Sequence, residues 1–282
     1  MGKIFCFSNQ KGGVGKTTTA VNLAAICGLN GIKTLLIDID PQGNSTSGFG
    51  IDRNILESTT YDFIIGNKSI KNSIINTNIG NVFISPANSN LAAAEIELIE
   101  ASEREFILKK ALAEIESEYE VILMDCPPSL GLLTINSLVA SQNLLIPLQC
   151  EYYSLEGLGQ LINTFNLVKQ NLNPNLEIGG VILTMADFRA SLTKQVIEEV
   201  RNYFGEKVFQ TIIPRSVKVS EAPSFGKPVV LYDASSKAAK AYLELGGEFI
   251  NRFSFSKTSS ESIPEETISI DQNSQQAEPV AE

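Results

Sequence analysis

Residues 8–24, Ser-Asn-Gln-Lys-Gly-Gly-Val-Gly-Lys-Thr-Thr-Thr-Ala-Val-Asn-Leu-Ala, leave this chain few folds to choose from. The apolar run 4–7 before them reads as a strand. Ala20, Leu23, Ala24 and Cys27, at i, i+3, i+4 and i+7, predict a helix that starts at Lys16 and stops at Asn30-Gly31. A glycine-rich segment between a strand and a helix can cradle phosphate. Backbone N–H groups of Gly12, Gly13, Val14, Gly15 and Lys16 approach a β-phosphate without Cβ interference, and the helix N-terminus favours negative charge. Lys16 would neutralise β/γ oxygens, Thr17 would bring its hydroxyl to Mg²⁺, and Thr18 follows in the first helical turn. The usual spacing is G-x-x-x-x-G-K-[ST], and Gln10 stands where its first glycine would be. Lys11 is a second lysine with no task inside its own loop.

Two further segments suit such a site. Residues 122–125, Ile-Leu-Met-Asp, form an apolar strand ending in a carboxylate, the form of an element that holds Mg²⁺ near a nucleotide. Alone, Asp125 could be a mere strand-end residue. Asp38-Ile39-Asp40-Pro41-Gln42-Gly43 ends the second strand. Asp38 and Asp40 are i, i+2 and point the same way at the carboxyl edge of a sheet, where ligands bind. Either could orient an attacking water.

Continuously apolar, β-branched runs recur at 34–39, 82–84, 121–124, 144–148, 181–183 and 208–213, as expected for strands buried on both faces. Helical patterns cover 91–116, 156–171 and 192–204. Strand and helix in alternation predict an α/β fold, a mostly parallel twisted sheet with helices on both faces, and the phosphate loop on its edge makes it P-loop NTPase-like. From Ser254 the composition turns to Ser, Glu, Gln, Thr and Pro. The expected organisation is one ATPase-type domain over 1–253 and a disordered acidic, polar tail over 254–282.

Charge excludes less than it first suggests. The net charge of −10 argues against nucleic acid, but the tail alone contributes −5, with one Lys against six acids. Residues 185–253 carry ten Lys and Arg against eight acids, a local +2. The chain has no histidine, which removes imidazole chemistry and histidine-bound metals. Cys6, Cys27, Cys126 and Cys150 are far apart and read as buried thiols of a reducing compartment. No apolar run is long enough to span a membrane, and no signal peptide is evident, so a cytoplasmic protein is expected.

Lys-Gly-Gly-Val-Gly-Lys-Thr-Thr at 11–18, Asp-Ile-Asp-Pro-Gln-Gly-Asn at 38–44 and Asp-Cys-Pro-Pro-Ser at 125–129 together resemble the deviant Walker A ATPases. Gln149-Cys150-Glu151-Tyr152-Tyr153, Ile213-Pro214-Arg215 and Ser220-Glu221-Ala222-Pro223-Ser224 resemble the ParA/Soj chromosome-partitioning branch. The resemblance covers residues 2–253. It implies that Lys11 reaches the phosphates of ATP in a partner subunit, so that ATP binding and homodimer formation become one event. It implies that Asp40 positions the hydrolytic water and Asp38 supports the Mg²⁺ shell. It also implies that Pro214 packs on adenine and that Glu151 makes cross-dimer nucleotide contacts. Arg189 and Lys218 match positions of DNA-contacting basic residues, whereas Ser235 stands where relatives often carry another Arg. The partners implied are non-specific double-stranded DNA, with the protein nucleoid-associated, and a ParB/Spo0J-like centromere-binding protein that stimulates hydrolysis.

The alternative is a MinD-like membrane-associated positioning ATPase, which needs a basic amphipathic C-terminal helix where this chain has an acidic tail. A cluster-carrier ATPase needs close cysteines. A small-molecule kinase needs an acceptor lid, and a sequence-reading repressor needs a helix-turn-helix before the first strand. None of these features is evident.

Overall fold

Seven strands make one sheet: β1 (Lys3–Phe7), β2 (Thr34–Asp38), β3 (Ile75–Asn76), β4 (Val82–Ser85), β5 (Val121–Asp125), β6 (Asn143–Gln149) and β7 (Glu177–Thr184). They come from a computed structural model that describes residues 2–151 and 154–256. The order is β3-β4-β2-β5-β1-β6-β7, parallel throughout except for the short edge pair β3–β4. Side chains of β1 alternate between two cores. Ile4 and Cys6 enter one, whereas Phe5 and Phe7 enter the other. Both faces are covered, which is why the inner strands read as unbroken apolar runs.

The register sets the functional edge. Phe7 of β1 and Asp38 of β2 both align with Asp125 of β5, so three strands end level at their carboxyl ends. Helix α1 (Lys16–Leu29) starts there. Its N-cap is Gly15 at φ 89°, and no side chain caps its first N–H groups. Those free donors are available to an anion. The helix ends at Asn30, with Gly31 at φ 77°.

On the α1 side of the sheet the helix Lys237–Arg252 lies against α1, burying Tyr242, Leu245 and Phe249. The two helices approach at Gly246, where a Cβ would come within 2.4 Å of Ile26 Cγ2. The helices Leu91–Glu97, Ile107–Leu112, Leu132–Ala140, Ser154–Asn171 and Ser191–Phe204 pack on the other face. The last two of these match the helices expected at 156–171 and 192–204.

Several elements differ from the sequence reading. The helix expected over 91–116 is broken, because Glu103 adopts φ 51° and Asn136 bonds the interrupted backbone at Arg104 O and Leu108 N. The run 208–213 is not a strand. The N–H groups of Gln210 and Thr211 donate to the Glu248 carboxylate, leaving only isolated bridges to β7 and its extension. The helices Leu132–Ala140 and Lys237–Arg252 and the short strand β3 have no counterpart in the sequence reading. At the chain's far end Phe253 and Phe255 still pack on Phe5, with ring centroids 4.6 and 6.3 Å away. The rest of the expected tail, 257–282, lies outside the described residues, as do Tyr152 and Tyr153.

Candidate nucleotide-binding site

The glycine loop leaves β1 and is pinned at three points. Asn9 Nδ2 donates to Pro147 O at 2.8 Å, and Asn9 Oδ1 accepts from Lys11 N at 3.0 Å. Across the loop, Thr184 Oγ1 donates to Val14 O at 2.8 Å. Gly13 and Gly15 both take positive φ, 70° and 89°. A Cβ on Gly12 or Gly13 would meet no atom within 4 Å, so the loop is uncovered at these positions.

The two lysines are separated by their surroundings. Lys16 is 6% exposed, and its Nζ lies 3.5 Å from Lys11 O. Burial lowers its pKa, opposed chiefly by Asp125. The Lys11 ammonium points elsewhere, 3.5 Å from Glu151 Oε2 and 3.4 Å from Ser154 Oγ. Glu151 Oε1 in turn accepts from Arg215 Nη2 at 2.8 Å.

Three carboxylates complete the edge. Asp38 is fully buried. Its Oδ2 accepts from the Thr46 N–H at 2.9 Å and hydroxyl at 2.7 Å, while Oδ1 accepts from Asp40 N at 3.3 Å. Both oxygens are thus committed to shaping the loop. Asp40 is 7% exposed, and its Oδ1 accepts from Gln42 N at 2.9 Å. Asp125 is fully buried. Its Oδ2 accepts from Ser45 Oγ at 2.8 Å, and Thr17 also bonds its carboxylate, yet Oδ1 has no partner. A buried carboxylate oxygen without a partner is costly, and a cation would relieve it. No group of three Asp, Glu or Cys is arranged to chelate a metal among the described residues. Mg²⁺ is typically held by one or two protein oxygens together with phosphates and waters.

Beside the loop, Gly15, Thr18, Thr184, Met185, Ile213 and Pro214 line a cavity of about 150 Å³. Met185 holds φ 53°, a left-handed conformation that costs a non-glycine residue about 1–3 kcal/mol and is common at ligand sites. Pro214 is bridged to Ala186, just past β7.

The structure therefore gathers Lys11, the loop 12–18, Asp38, Asp40, Asp125, Glu151 and Pro214 at one edge. Arg189 and Lys218 lie apart from it. Arg189 pairs with Asp187 at 2.7 Å and Lys218 with Glu221 at 2.9 Å, and no contact joins the two cations. Asn9, Ser45, Thr46, Thr184 and Arg215 were missed in the sequence reading. A short polar residue within ten positions of a motif aspartate was the only available sign for Ser45 and Thr46. Nothing local marks Thr184.

Comparison with known proteins places this geometry. A family model described as an AAA domain matches residues 2–178. The sporulation initiation inhibitor protein Soj of Bacillus subtilis is 54% identical over 248 residues, covering 88% of this chain and 98% of that one. The chromosome partitioning protein ParA of Myxococcus xanthus is 52% identical over 252 residues, 89% of each. The chain belongs to the ParA/Soj family of chromosome-partitioning ATPases. A solved structure with the same fold is cobyrinic acid a,c-diamide synthase of Mycobacterium smegmatis with bound ADP and magnesium. It has TM-score 0.80 and 32% identity, and the match covers 93% of this chain and 100% of that one. As a member of the family the chain is an ATPase. No helix among the described residues is long and apolar enough to cross a membrane, and Cys6, Cys27, Cys126 and Cys150 are all buried.

Proposed function

We propose that this ATPase is a DNA-segregation switch. ATP brings two copies into a sandwich dimer, the dimer binds duplex DNA without reading sequence, and a ParB-like partner stimulates slow hydrolysis that releases it. The protein then works on the nucleoid. The observation that carries this reading is the division of labour between the lysines. Lys16 is buried in its own loop, whereas Lys11 leaves that loop and holds its ammonium at the Glu151 surface. A cation placed outside its own phosphate site can serve the phosphates of a second copy, and this ties dimerisation to ATP.

In this reading the N–H groups of Gly12 to Lys16 hold the β-phosphate, and Lys16 offsets the β/γ charge. Thr18 and Pro214 border the nucleoside. Thr17 and Asp125 would hold Mg²⁺, with Asp38 bracing the shell through Thr46. Magnesium, when bound, supplies positive charge to the phosphate oxygens. Asp40 accepts a hydrogen bond from the attacking water and aims it at the γ-phosphorus. The bond from that phosphorus to the bridging oxygen then breaks, giving ADP and phosphate. Lys11 from the second copy stabilises charge on the transferring group. In the ATP dimer, before hydrolysis, Glu151 turns to the nucleotide across the dimer, and Arg189 and Lys218 meet DNA phosphates.

The test is duplex-DNA binding with ADP, with ATP, and with ATP plus a centromere-binding partner. Binding confined to ATP and reversed by the partner supports the reading. Equal binding in all three conditions refutes it.

A further inference from the structure

Arg215 stands where the nucleotide edge meets the basic surface. Its Nη2 donates to Glu151 Oε1 at 2.8 Å, and Glu151 is its ion-pair partner among the described residues. The other Glu151 oxygen faces Lys11 Nζ at 3.5 Å, so one carboxylate serves two cations. The Arg215 backbone N–H donates to Ala186 O at 3.1 Å, placing it beside the segment that carries Arg189. Two residues further on begins the helix Val217–Glu221, which carries Lys218. The Arg215 side chain is 60% exposed. After Arg189, Arg215 also helps hold the Asp187 carboxyl low, so its charge is felt at the Arg189 pair.

We propose that Arg215 is a third DNA-phosphate contact, masked by Glu151 in the single chain and released when Glu151 turns to the nucleotide of a second copy. The inference rests on the dimer reading above and adds to it a residue and a gate. Held in the Glu151 pair, the guanidinium has its donors and much of its charge tied to a carboxylate and is not free to meet a polyanion. An exposed pair of this kind opens at small cost, and the freed guanidinium can bind a phosphate through two donors. Each subunit then gains one cation between the segments that carry Arg189 and Lys218. The gate couples ATP occupancy to DNA affinity beyond the doubling of sites that dimerisation alone provides.

The experiment uses the full chain and random-sequence duplex DNA, with affinity measured against salt. At saturating ATP, Arg215→Ala should weaken binding about tenfold on every sequence and flatten the salt slope by roughly one contact per subunit. Light scattering should still show the dimer, and Arg215→Lys should restore the slope. Without nucleotide, Glu151→Gln should bind DNA several-fold more tightly than wild type, and adding Arg215→Ala should remove that gain.

The inference falls if Arg215→Ala with ATP matches wild type, or if that variant loses the dimer. It also falls if the Glu151→Gln gain persists in the double variant, because the gain would then come from the general field. Failure of the functional reading looks different: wild type itself would show no ATP-dependent DNA binding.

Discussion

Asp38 and Asp125 are register partners at the ends of β2 and β5, and both carboxyls are fully buried. Burial pushes Asp38 up to about 8, with Asp125 beside it adding to the effect. Burial also raises Asp125, to about 6, against the pull of Thr17, Ser45 and Lys16. Without metal, the folded chain holds protons here that the unfolded chain has already released. The sign follows: this stability is fully present below the ordinary carboxylate pKa and is lost as pH rises through the window up to about 8. Each proton held only in the folded state tilts stability by about 1.4 kcal/mol per pH unit. In a chelator, Asp38→Asn should flatten the fall in urea-unfolding stability between about pH 5 and 7.5. Parallel pH profiles for variant and wild type would show that the pair does not hold the proton. Magnesium should lower the protonation of both carboxyls, so its uptake at neutral pH should release protons into a weakly buffered solution.

The two lysines should fail differently. Lys16→Ala removes the buried cation of the loop and should abolish ATP binding, measured with a fluorescent analogue. Lys11→Ala leaves the loop's N–H groups and Lys16 in place. It should keep appreciable nucleotide binding, stay monomeric with ATP, and hydrolyse poorly. An ATP-dependent dimer of Lys11→Ala in light scattering would remove the in-trans role.

Asp40→Ala should trap the ATP-bound dimer. Binding contacts remain, but the water loses its orienting carboxylate, and turnover should fall on the order of 10². Because Asp40 Oδ1 also accepts from Gln42 N, Asp40→Asn is the control that keeps the turn. Unchanged turnover in Asp40→Asn would pass the role to another group.

The phosphate loop, the central strands and α1 were legible because their signals are local. Glycines at fixed offsets, a carboxylate ending an apolar run and 3.6-residue spacing all lie within a short window. What escaped depends on distant partners. The run 208–213 has strand composition, yet its N–H groups belong to Glu248 on a helix some forty residues later. The helix Lys237–Arg252 carries Gly246-Gly247, which weakens the helical pattern, and Gly246 is needed only because Ile26 lies against it. Arg215 stands in the Ile213-Pro214-Arg215 resemblance with no role of its own until the fold sets it beside Glu151.

Gly246→Ala tests that packing directly. The new methyl would sit 2.4 Å from Ile26 Cγ2, so helix and α1 must separate or Ile26 must leave its rotamer. Overpacking of this kind costs about 1–3 kcal/mol, more than the alanine gains in helix propensity. Thermal unfolding should show a lower Tm, and the drop should be smaller in an Ile26→Ala background, where Cγ2 is gone. A Tm at or above wild type would mean that the two helices are free to move apart.

On the proposed function, an acidic chain has to bind an acidic polymer. Arg189 and Lys218 are each paired, with Asp187 and Glu221, so a DNA phosphate must compete with a carboxylate for each of them. Such exposed pairs are weak, and a dense row of phosphates can displace them. In an ATP dimer each cation occurs twice, and two weak sites act as one bivalent site. Removing both by Arg189→Ala, Lys218→Ala should weaken all duplexes about equally and flatten the salt slope by roughly two contacts per subunit. ATP binding and dimerisation should survive, because neither side chain touches the phosphate loop. Ser235 donates to Asp233 at 2.7 Å and brings no charge to this face. Ser235→Arg should therefore steepen the slope and tighten binding if the face is the DNA surface. Indifference of DNA affinity to the double variant and to Ser235→Arg alike would mean that the DNA surface lies elsewhere.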